Sequence, residues 1–132
     1  MRRELFISMV VMFTLTVAAL PVLAHHSFSA EFDATKPVQM EGTVTKVEWM
    51  NPHVYFYMDV TDTTGKVINW ACEMGSPNAL QRQGWNRNTL KVGTKVAFEG
   101  TVAKDGSPKT NARNVTVDGK RLGAASSEGV TP

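Results

Sequence analysis

The chain has one cysteine, Cys72, in 132 residues, so no disulfide can form within it, even in an oxidising compartment. A lone thiol is then either buried or reactive, and its neighbours decide which. Histidine is nearly as scarce, with His25, His26 and His53 making the full set. An excess of charge is missing too, since 14 basic residues face 12 acidic ones. That balance supplies no strong electrostatic draw toward nucleic acid or anionic lipid. No nucleophile elbow, phosphate loop or zinc-protease motif occurs. The acids Glu31, Asp33, Glu41, Glu48 and Glu73 follow no helical or strand spacing that would converge them. The reading is therefore of a binding protein and not an enzyme.

Long apolar runs are confined to the beginning. Arg2 and Arg3 form a charged start, Leu5 to Leu20 an apolar stretch, and Pro21 breaks it before Val22-Leu23-Ala24. This is the pattern of a secretory signal, with small residues at the last and third-last positions favouring cleavage after Ala24. The run is interrupted by Ser8, Thr14 and Thr16 and is short for a bilayer span of about 20 apolar residues. The expectation is thus a periplasmic or secreted protein with no membrane contact after cleavage. Removing residues 1–24 from 132 leaves 108, with two arginines and one glutamate gone and a formal charge of +1. That length suits one domain with a modest core.

Residues 25–37 show no period and read as an N-terminal arm, which Phe28 and Phe32 could pin to the body. A strand is predicted over Val38 to Trp49, where the apolar parity switches from Val38, Met40 and Val44 to Val47 and Trp49. The switch predicts a bulge near Thr45 and Lys46. Met50-Asn51-Pro52 signals a turn. From His53 to Val60 the pattern alternates, with Val54, Phe56, Met58 and Val60 against His53, Tyr55, Tyr57 and Asp59. Asp62-Thr63-Thr64-Gly65 turns into a third strand, Val67 to Met74, whose Ile68, Trp70, Cys72 and Met74 share one parity. Ser76 suits a helix N-cap with Pro77 at the first helical position, and Gly84 stops the helix. Strands over Lys95 to Ala103 and Asn111 to Val117 follow, and residues 123–132 read as a disordered tail. The expected fold is all-β with one short helix, a five-stranded OB-fold-like Greek-key barrel in the order strand, strand, strand, helix, strand, strand, spanning residues 38–122.

Several segments together carry a family resemblance. They are His25-His26-Ser27-Phe28, Glu31-Phe32-Asp33, Gly42-Thr43-Val44, Val47-Glu48-Trp49, Asn51-Pro52-His53, Gly75-Ser76-Pro77-Asn78 and Gly84-Trp85. The chain resembles a family of short exported bacterial proteins catalogued as a domain of unknown function. The resemblance runs from His25 to about Leu122 and implies a secreted single β domain, with no activity, substrate or cofactor. Cys72 departs from the family's pattern, which speaks against a functional thiol.

Three candidate sites emerge. Cleavage after Ala24 would leave His25 with a free α-amino group, and amine plus imidazole nitrogens form a chelating set suited to Cu(II), with Ni(II) and Zn(II) as competitors. His26 offers a second imidazole, and His53 completes the set if the arm folds back over the first turn. The α-amino group titrates at about 7.7 and imidazole at about 6.5, so binding would weaken as pH falls below about 6. The plainer alternative makes His53 a turn residue and the other two a by-product of the cleavage site. Trp49, Tyr55 and Tyr57 form the second candidate, an aromatic sheet face for a small ligand or an envelope protein. Cross-strand pairing that stabilises the sheet is its plainer reading. Cys72 with Met74 and Met58 is a third, a soft Cu(I) site, but their shared parity with Ile68 and Trp70 argues for core packing.

Overall fold

The alternating strands sort their side chains to two sides, and the inward side must be covered. In the computed structural model, which describes residues 28–126 and 128, this is done by closing the sheet on itself. A single helical turn over residues 28–31 leads into β1 (Phe32–Glu48), β2 (Tyr55–Thr61) and β3 (Val67–Glu73). A short helix α1 (Pro77–Arg82), β4 (Lys95–Ala103), β5 (Lys109–Val117) and β6 (Lys120–Gly123) follow. The strands run β3-β2-β1-β4-β5-β6, and a parallel pairing of β3 with β5 closes the first five into a barrel. That is the connectivity of an OB-fold. β6 then lies on the second half of β5, where Val115 pairs with Leu122.

The bulge is where the parity switch puts it. The β1–β2 register shifts between Val44 and Lys46, so Val44 faces the core before it, and Val47 and Trp49 pack against the core after it. Phe56, Met58, Cys72, Met74, Leu80, Phe98 and Val115 fill the interior, each 1% exposed or less. α1 forms as the capping residues require, with the Ser76 hydroxyl accepting from Ala79 N at 3.3 Å. It turns Leu80 into the core. At six residues it is too short to stand alone, so this packing holds it.

Three departures from expectation have a plain physical reason. β1 begins at Phe32 and not Val38, because Asp33, Ala34, Thr35 and Lys36 add a polar stretch with no apolar alternation to read. Among the described residues there are six strands and not five, the sixth escaping because Lys120 and Arg121 are exposed and only Leu122 is buried in β6. Asp118 and Gly119, at φ 49° and 76°, supply the left-handed pair that a tight hairpin into β6 needs. The expected tail from residue 123 is also ordered at its start. Ala124 is fully buried, its N donates to Arg113 O at 2.8 Å, and its O accepts from Gly75 N at 2.9 Å. Gly75 must be glycine for this approach, as a Cβ there would lie 2.4 Å from Ala125 O. No helix among the described residues is long and apolar enough to cross a membrane.

Candidate functional site

The outer face of β2 and β3 carries the site, and its centre is a residue that residue spacing passed over. Glu73 ends β3 with its side chain on the outer side, yet only 7% of that side chain is exposed. Three strands converge on it. The β2–β3 register sets Tyr55 directly opposite Glu73. The parallel β3–β5 pairing sets Asn111 opposite Glu73 and Lys109 opposite Ala71. His53 arrives because the chain before β2 continues the ladder: Val54 N donates to Gly75 O at 3.0 Å and Met74 N to Val54 O at 2.8 Å.

The carboxylate's two oxygens are divided among these neighbours. Oε1 lies 2.9 Å from His53 Nδ1 and 3.5 Å from Asn111 Nδ2. Oε2 accepts from the Tyr55 hydroxyl and has the Lys109 ammonium 3.8 Å away. Lys109 also pairs with Glu31 and stands 5.6 Å from the ring centres of both Phe32 and Tyr55. Burial, reinforced by the hydrogen bond to Glu73, pushes the Tyr55 phenol above its ordinary range, so it stays a donor. A carboxylate oxygen can only accept, so the 2.9 Å approach favours a His53 ring that carries a proton on Nδ1. When a ring protonated there is neutral, its lone pair is on Nε2. The His53 side chain is 34% exposed, so the ring is only partly covered.

The sequence candidates fall into separate groups. His53 and Tyr55 meet at Glu73. His25 and His26 lie outside the described residues. Tyr57 is on the same outer face but belongs to another pair: its hydroxyl donates to Glu48 at 3.0 Å, and Lys46 stands 5.1 Å from its ring centre. Trp49 does not join that face, because the bulge turns it with Val47 against the core. Cys72 and Met74 are both buried in the interior, and burial pushes the Cys72 thiol up to about 12. No group of three metal-ligating side chains occurs among the described residues. An open groove of about 610 Å³ between β1, β2, β4 and the β5–β6 turn is lined by Thr43, Asp59, Thr61, Lys95 and Asp118, with none of the candidates.

Comparison places the chain by descent. A sequence model of DUF6152, a family of unknown function, matches residues 12–113. The chain belongs to this family. DUF6152 membership assigns no role to the Glu73 cluster, so its chemistry has to be argued from geometry. The chain is also similar to the dimeric N-terminal domain of PriB from Thermoanaerobacter tencongensis, at 21% identity and a TM-score of 0.41, over 63% of this chain and 96% of that one. The search of curated proteins returns no match.

Proposed function

We propose that this protein is an exported, non-catalytic metal-binding module of the cell envelope, taking Cu(II) or a similar divalent ion through His25, His26 and His53. The observation that supports this reading most is the contact between His53 Nδ1 and Glu73 Oε1 at 2.9 Å. A ligating histidine characteristically gives its other ring nitrogen to a carboxylate, which fixes the tautomer and raises the basicity of the nitrogen that binds. The described chain begins at Phe28, on the same side of the barrel. Phe28 and Phe32 stack with ring centres 5.5 Å apart, and Lys109 joins Phe32 to Glu73. His26 is two positions before Phe28, on the order of 7 Å of extended chain.

The aromatic-face reading is set behind this one. The ammonium groups of Lys46 and Lys109 already stand over the rings of Tyr57 and Tyr55, and Trp49 packs against the core. The test is a Cu(II) titration of protein whose first residue is His25, after mass spectrometry has fixed the terminus of the exported form. Tight binding that weakens in His25→Ala, His26→Ala and His53→Ala is the expected result. Absence of a tight site, or one indifferent to all three changes, overturns the reading.

A further inference from the structure

We propose that Tyr55 is a positioning residue for His53, acting through the carboxylate of Glu73. The inference rests on the metal reading for what His53 then does, while the positioning itself is a property of the metal-free protein.

Glu73 is buried and could satisfy its oxygens in more than one way. In its pose Oε2 accepts from the Tyr55 hydroxyl and Oε1 lies 2.9 Å from His53 Nδ1. Tyr55 stands directly across the ladder from Glu73, and a phenol donates a single hydrogen bond. The competing donor is Lys109, 3.8 Å from Oε2 and shared with Glu31. Without the hydroxyl, a buried oxygen loses its partner, which is costly, and Lys109 is the nearest group that can replace it. A carboxylate drawn toward Lys109 withdraws Oε1 from His53, and Nδ1 then loses its preference for the proton. Tyr57 is the internal control. It offers the same phenol-to-carboxylate bond two residues further along the strand, but to Glu48.

The experiment is nitrogen-15 NMR of the imidazole nitrogens in the metal-free protein as the cell processes it, with Cu(II) affinity measured in parallel. The wild type and Tyr57→Phe are expected to show His53 as one tautomer with the proton on Nδ1. Tyr55→Phe is expected to show a mixture, and about a tenfold loss of Cu(II) affinity. Unchanged His53 nitrogens in Tyr55→Phe, or an equal change in Tyr57→Phe, overturn the proposal. Lys109→Met is the second arm and keeps Tyr55 in place, so it should retain the wild-type tautomer even if Tyr55→Phe does not fold. A mixture in Lys109→Met assigns the positioning to Lys109 and overturns the role of Tyr55. A wild type that shows the expected tautomer but binds no copper sinks the metal reading alone.

Discussion

Tyr55 and Glu73 face each other across the β2–β3 ladder and join by a hydrogen bond from phenol to carboxylate. Both stand on the outer side of the barrel, and the carboxylate is nonetheless 7% exposed. The cover comes from His53, Lys109 and Asn111, so a charged residue on an outer face is held as if it were in a core. A buried carboxylate is tolerated only when its oxygens are paired, and here each has two neighbours.

Glu73→Gln keeps the shape and removes the charge. It should lower stability by about 1–3 kcal/mol, because the paired donors are left facing a poorer acceptor, and weaken Cu(II) by about 10- to 100-fold. Urea unfolding gives the first number and the copper titration the second. A variant as stable and as tight as the wild type would show that Glu73 holds nothing in place.

The alkaline side of the stability profile should carry the signature of Cys72. Its thiol moves from 9.0 to about 12 on folding, through burial. A group raised in the folded state contributes its full stability below the unfolded value and loses it as pH rises through the folded one. Stability should therefore fall between about pH 9 and about pH 12, and Cys72→Ala should flatten that slope while creating a small cavity. The raised Tyr55 phenol acts in the same direction from its own ordinary value upward. Native protein at pH 8 should also resist thiol alkylation until unfolded. Rapid native labelling would contradict the assignment.

Much of this arrangement can be read from the residues, and what escapes does so for identifiable reasons. The alternation from His53 to Val60 and the parity switch at Thr45 locate β2 and the bulge. Glu73 was within reach as well: the connection Asp62 to Lys66 pairs Thr61 with Val67, and stepping back along both strands brings Tyr55 opposite Glu73. Trp49 illustrates the same point in reverse, since the bulge that its parity reveals also takes it off the face of Tyr55. Lys109 and Asn111 had no such signal. They reach Glu73 through a parallel pairing that closes the barrel across the helix and β4, and no local pattern records it.

Removal of residues 123–132 tests the ordered end of the chain. Trp85 Nε1 donates to Gly123 O at 2.7 Å, and Ala124 bridges Arg113 and Gly75. Losing these bonds should cost on the order of 2 kcal/mol or more, at about 0.5–1.5 kcal/mol each. The Gly75 amide should exchange faster. A melting temperature equal to that of the full chain would mean that this end contributes nothing.

Lys109 is also the fastening for the turn over residues 28–31, which precedes β1. Besides Glu31, it meets the ring of Phe32, and the Lys104 amide donates to Glu31 O at 2.9 Å. That amide is a reporter: its exchange rate measures how often the turn lifts off. An exposed ion pair contributes about 0.2–1 kcal/mol and a cation over an aromatic ring about 0.5–1 kcal/mol. Lys109→Met should then raise exchange at Lys104 roughly tenfold. The Phe98 amide, deep in β4 and fully covered, should keep its protection. Equal acceleration at both amides would indicate general loosening of the barrel, and no change at Lys104 would show that the packing of Phe28, Phe32 and Ala103 and the bonds from Lys104 hold the turn without Lys109.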